Sequence, residues 1–228
     1  MALSTTDLGT GGSGMAKTIA PGNHTLKINS IFLEDFTFIE GAKHLILNVE
    51  TEPIEGFEGF MIDKEDESKG RHAGQIGRVK ASQYAFADGE TKSGIKIQRD
   101  RSIMIFLQNL CKTLGINEWF IAQDGLHDTI DDLVNAFNKN AKFQDIYLDF
   151  CVAGKEYVGK TGYTNYDMYL PKADKGTYAF GEDGSSKVIT YNEATHLKRA
   201  EVKEVKVFGD DADEISIPSK TSSDFSLD

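Results

Sequence analysis

The sequence predicts an antiparallel α+β domain, mainly β and most simply a small barrel with helices inserted mid-chain. Two observations predict it. Apolar residues alternate with polar ones at a period of two in the first third of the chain and again after residue 146, but recur at helical spacing between Ile103 and Phe137. The order is therefore strands, then two helices, then strands, without the β-α-β alternation of a parallel sheet. A chain of 228 residues with 39% hydrophobic and 27% charged residues has the balance of a globular domain.

Each element follows from its residues. Residues 1–22, rich in Ser, Thr and Gly, read as a flexible leader ending at Pro21-Gly22. From His24, Leu26 and Ile28 alternate with Lys27 and Asn29, after which the apolar parity shifts to Ile31 and Leu33. Such a shift inside one strand predicts a bulge or sharp bend. Glu40-Gly41 makes a turn, and Leu45, Leu47 and Val49 form a second strand. Gly56, Gly59 and the charged run Asp63 to Lys69 read as a long solvated connection. A third strand is expected over Gln75 to Phe86 and a shorter one over Gly94 to Gln98, turning at Asp88-Gly89.

Ile103, Phe106, Leu107, Leu110 and Leu114 predict a first helix, with Asp100 as N-cap and Gly115 as stop. Ile130, Leu133, Val134 and Phe137 predict a second over Thr129 to Asn138. Ile146, Leu148, Phe150 and Val152 give the cleanest strand, followed by strands at Tyr166 to Leu170, Lys187 to Tyr191 and Glu201 to Val207. The folded domain is thus expected over residues 23–208, and residues 209–228 as a disordered acidic tail.

The net charge of −11 speaks against a nucleic-acid partner only until its distribution is read. Between Asp210 and Asp228 six acids face one base; without that segment 30 acids face 24 bases, a net of −6. From Lys69 to Arg101 eight cations face three acids. The chain has a basic middle and an acidic end. No apolar run is long enough to span a membrane, no signal peptide is visible, and two cysteines make neither a disulfide framework nor a zinc site. A reducing, cytoplasmic location is the expectation.

Gly154-Lys155-Glu156-Tyr157-Val158-Gly159-Lys160-Thr161 matches the phosphate-loop pattern letter for letter. A phosphate loop must open a helix, whose N-terminus supplies much of the anion affinity. Here Gly162 and then Tyr163, Asn165, Tyr166 and Pro171 follow, which read as turn and strand. A hairpin tip carrying Lys155 and Lys160 is the better reading. The five histidines are scattered, Cys111 lies within a helix, and no nucleophile motif occurs. No catalytic residue, metal or cofactor is expected.

Two regions point to binding. On the third strand Arg78, Lys80, Ser82, Tyr84 and Phe86 share one parity, and Lys96 continues the polar parity on the next. Cations that track a backbone beside rings that stack bases suit single-stranded nucleic acid, although Tyr84 and Phe86 would serve equally well as core. Five of eight tyrosines lie between Tyr157 and Tyr178, among them Tyr163 and Tyr166, interleaved with Lys155, Lys160 and Lys172. Such a hairpin suits a wrapping loop or a protein contact. The tail, with Asp210, Asp211, Asp213 and Glu214 followed by Asp224, Phe225 and Leu227, suggests a short peptide read by other proteins.

The long first strand after Pro21-Gly22, the mid-chain helices, the stretch Thr164 to Lys172 and the acidic tail together resemble the bacteriophage single-stranded DNA-binding proteins built on the OB-fold. The resemblance implies an OB-fold-like barrel with no enzymatic activity. Such a protein would bind and protect single strands during replication and recombination in the host cytoplasm, recruit replication and recombination proteins through its tail, and have copies of itself as a further candidate partner. The alternative is a β-rich phage virion or assembly protein whose tyrosine-rich hairpin contacts protein.

Overall fold

The computed structural model describes residues 19–53, 59–62, 70–159, 164–172 and 189–200. In chain order these form β1 (Gly22–Asp35), β2 (Lys43–Thr51), β3 (Gly59–Ile62), β4 (Gly70–Ala73), β5 (Ile76–Lys80), β6 (Gly89–Glu90) and β7 (Lys96–Ile97). Helices α1 (Arg99–Thr113), α2 (Asn117–Ile121) and α3 (Ile130–Lys139) follow, then β8 (Leu148–Val158), β9 (Thr164–Tyr169), α4 (Glu193–His196) and β10 (Leu197–Lys198). The sheet runs β1-β2-β5-β9-β8 and returns to β1, closing a five-stranded barrel of OB-fold-like type. Within the barrel the pairs are antiparallel except β5–β9, where Lys80 lies opposite Tyr169 in parallel register, and β10 adds to β8 as a further parallel strand. The expected mainly β barrel with a mid-chain helical insertion is what forms, with a mixed rather than purely antiparallel sheet.

The bulge predicted in the first strand lies between Ile28 and Ser30, where the register against β2 slips by one residue. It lets one strand serve two partners. β1 pairs with β8 from Gly22 to Leu26 and with β2 from Leu26 to Asp35. Past Leu26 the edge that β8 has left would carry bare backbone groups. At Ile31 the carboxamide of Asn138 replaces a strand: Asn138 Oδ1 accepts from the Ile31 N–H at 2.8 Å, and its Nδ2 donates to the Ile31 carbonyl at 2.7 Å. Helix α3 is thereby fastened to the barrel.

Both predicted helices bury the predicted stripes. Thr129 caps α3 by accepting from the Asp132 N–H at 3.1 Å, and Gly115, at φ 70°, ends α1. The N-cap of α1 is Gln98 rather than Asp100; Asp88 reaches from the preceding loop to accept from the Arg99 N–H at 2.8 Å. Sequence reading missed the short helix α2. Phe137 stacks on Phe143 with ring centroids 4.3 Å apart, and Trp119 meets Phe137 edge-on at 5.9 Å.

Packed structure starts before Gly22. Ile19 is buried in the core, its N–H donates to the Ile76 carbonyl, and Pro21 lies against Gly154. A Cβ at Gly77 would meet Ile19 at 2.5 Å and one at Gly154 would meet Pro21 at 2.4 Å, so both strands need glycine for this close approach.

Several expectations change. The third strand ends at Lys80 rather than Phe86. Ala81 still donates to the Leu45 carbonyl, but Phe86 bridges Lys43, only two residues back along β2. The surplus residues 82–85 loop outward, and parity no longer predicts their direction. The turn expected at Asp88-Gly89 falls at Thr91 to Gly94, between β6 and β7. Part of the expected solvated connection is instead the β3–β4 hairpin. Ile189 to Tyr191 is not a strand. Lys187, the Glu201–Val207 strand, the leader up to residue 18 and the acidic tail lie outside the described residues. Among those described, no helix is long and apolar enough to cross a membrane.

Candidate nucleic-acid interface

One outer face of the barrel carries the functional chemistry. Register places Phe32 (β1), Ile46 (β2), Lys80 (β5) and Tyr169 (β9) in one row. Asn48 and Arg78 form a neighbouring row, and Asp167 lies opposite Lys155, with Tyr157 opposite Asn165. Alternation aims all of these outward, although Ile46 and Tyr169 are covered and buried there, while Leu45, Leu47, Val79 and Met168 point into the core. Arg78, Lys80, Lys155 and Tyr157 therefore all point to the outside of the barrel.

The two β5 cations on it are paired. Lys80 Nζ lies 2.7 Å from the Asp167 carboxylate, and the Arg78 guanidinium lies 3.4 Å from Glu34 while stacking over the Phe32 ring at 5.1 Å. Lys43, which has the parity of Leu45 and so lies off this face, bridges to Asp35 at 3.0 Å and to Asp131 of α3 at 3.9 Å. The free cationic track expected from the sequence is thus a mosaic of ion pairs. His44, buried on this face, is held below the usual histidine range by burial and then by nearby Lys80, against the opposing pull of Asp167 and Glu34. It stays neutral near pH 7.

The rings on this face are largely ones sequence reading passed over. The β1–β2 loop closes through a Phe36 N–H to Ala42 carbonyl bond of 2.8 Å and a left-handed Gly41. It projects Phe38, 86% exposed and tilted on Phe36 at 5.4 Å, with Ile39 beside it; Phe36 meets His44 edge-on at 5.1 Å. The signal was present: turns favour Gly, Pro, Asn, Asp and Ser, yet Phe36-Thr37-Phe38-Ile39 is mostly apolar within an acidic surround. Tyr84, 73% exposed, stands on the loop that follows β5. It is close enough to influence Tyr169, whose phenol is pushed up first by burial and then by Tyr84 and Asp167.

Other assigned residues fall elsewhere. Phe86 is buried in the core, because the loop before it reverses its parity, and it has no face to offer a base. Tyr166 has the opposite parity to Asp167 and packs half-buried against the core. Lys96 belongs to the separate β6–β7 hairpin, and exposed Lys172 follows β9 after Pro171. Lys160 and Tyr163, which come between β8 and β9 in sequence, lie outside the described residues, as do Asp210, Asp211, Asp213, Glu214, Asp224, Phe225 and Leu227.

The phosphate-loop match fails on local structure. Gly154 to Val158 is the extended end of β8, and β9 begins at Thr164, so among the described residues the motif is followed by a strand and not by a helix. Cys111 and Cys151 are buried thiols pushed up by desolvation to about 12 and about 11, which leaves neither as a thiolate nucleophile at neutral pH. Among the described residues no group of His, Cys, Asp and Glu side chains could hold a metal ion. No protein-family model, curated protein or solved structure matches the chain.

Proposed function

We propose that this protein binds single-stranded DNA on the β1–β2–β5 face of its barrel, as a non-enzymatic strand-coating protein of phage replication and recombination. The observation that carries the reading is Arg78 stacked over Phe32 on that face, with Phe36 and exposed Phe38 on the adjoining β1–β2 loop and exposed Tyr84 on the loop after β5. Bases stack on such rings at about 1–3 kcal/mol each without sequence preference. OB-fold barrels bind oligonucleotides on the same face and on the loops that flank it. Exposed Phe38 extends this surface into the first such loop, and Lys155 and Tyr157 extend it toward the second. Recruitment of replication proteins through the Asp210 to Leu227 segment is the second part of the proposal and rests on composition.

A fluorescence-anisotropy titration with labelled oligo-dT at two salt concentrations tests the reading. Saturable binding that Phe38→Ala and Tyr84→Ala weaken supports it. No binding at low salt, or binding indifferent to both variants, rejects it.

A further inference from the structure

The helical insertion carries a second surface that the strand-binding reading leaves unused. Helices α1, α2 and α3 and the loop joining the last two enclose an open groove of about 500 Å³. Met104, Phe120, Ile121 and Leu133 supply its apolar lining. Ile121 is 59% exposed and Leu126, on the rim between lining residues Gly125 and His127, is 67% exposed. These side chains cost free energy in water that a covering partner would recover at about 25 cal/mol per Å².

The carboxylates that line the groove have no lysine or arginine among the lining residues. Asp100, Asp124 and Asp128 line it. From Asn117 to Asn138 the chain carries Glu118, Asp124, Asp128, Asp131 and Asp132 and no lysine or arginine. Asp100 is engaged by Arg99 at 2.6 Å, but the carboxylates of Asp124 and Asp128 make no ion pair or hydrogen bond among the described residues. The chain's own tail, with six acids against one base, would be repelled from this site, as would a second copy presenting the same groove.

The geometry points to this groove as a docking site for a basic, apolar segment of another protein, with leucine-like anchors in the groove and lysines or arginines facing Asp124 and Asp128. Its position gives the contact a use. Arg99 joins the rim to the β1–β2 loop, donating from Nε to Asp100 and from Nη1 to the Gly41 carbonyl at 2.7 Å. A partner seated here is therefore held beside the Phe38 loop.

The probes are a fluorescein-labelled helical peptide of leucine and lysine and its leucine–glutamate counterpart, each titrated into the full chain without DNA. The leucine–lysine peptide should bind and the leucine–glutamate peptide should not. The double variant Ile121→Ser/Leu126→Ser should weaken binding about tenfold through lost apolar contact. Asp124→Asn/Asp128→Asn should weaken it and flatten its salt dependence. All four positions are exposed, so the fold should persist, and oligo-dT affinity should be unchanged in both variants, which separates this test from that of strand binding. Three results overturn the proposal. One is equal binding of the two peptides. Another is a concentration-dependent dimer in sedimentation that Ile121→Ser/Leu126→Ser dissociates. The last is tighter peptide binding once residues 1–18 are removed, which would make the leader the occupant.

Discussion

Asp167→Asn should make the protein bind single-stranded DNA more tightly. The Asp167 carboxylate sits 2.7 Å from Lys80 Nζ and opposite Lys155 across β8 and β9, so it neutralises one cation and faces another on the proposed strand path. A phosphate reaching Lys80 must displace this carboxylate or lie beside it. Two unit charges about 4 Å apart in water repel by about 1 kcal/mol, so removing the acid should tighten oligo-dT binding roughly fivefold at low salt. A freed Lys80 also adds one phosphate contact, which should steepen the slope of log K against log salt by about 0.7. His44 does not blur the result: losing Asp167 removes an influence that raises its pKa, so it remains neutral. The fold should survive, because half-exposed pairs of this kind contribute about 0–1 kcal/mol. The assay is anisotropy with oligo-dT over a salt series, with Glu118→Gln on the helical insertion as a control that removes the same charge elsewhere. Weaker binding by Asp167→Asn, or an unchanged slope, would refute the reasoning and mean that the pair orients Lys80 or that the face is not used.

Phe38→Ala and Tyr84→Ala should each weaken oligo-dT binding by about 1–3 kcal/mol with an unchanged salt slope, since stacking releases no counterions. Phe86→Ala should instead destabilise the fold by about 3–5 kcal/mol in urea denaturation, because its ring is core. Asn138→Ala removes both bonds to Ile31 and leaves backbone groups of β1 without partners, so denaturation should show a loss of about 1–3 kcal/mol. Neither cysteine should react with iodoacetamide at pH 8 in the folded protein, since burial holds both thiols protonated; both should react in urea, and rapid native labelling would show that the core opens.

Much of the barrel was legible in the chain because alternation reports directly on which face of a strand is buried. The parity shift from Ile28 to Ile31 marked the bulge, and the stripes of α1 and α3 marked the helical insertion. Alternation says nothing about which strand lies alongside. The parallel closure of β5 on β9, and with it the pairing of Lys80 with an acid 87 residues away, depends on the whole path of the chain. Parity also fails wherever the backbone leaves the ladder, which is why Phe86 turned inward and Tyr84 outward from one run of residues. The sequence thus determined most strands of the barrel, the buried stripes of α1 and α3 and the two β5 cations of the candidate face. Only the tertiary structure decided which acids oppose those cations, because that depends on neighbours brought together by barrel closure, and the closed β1–β2 loop decided that Phe38 stands exposed.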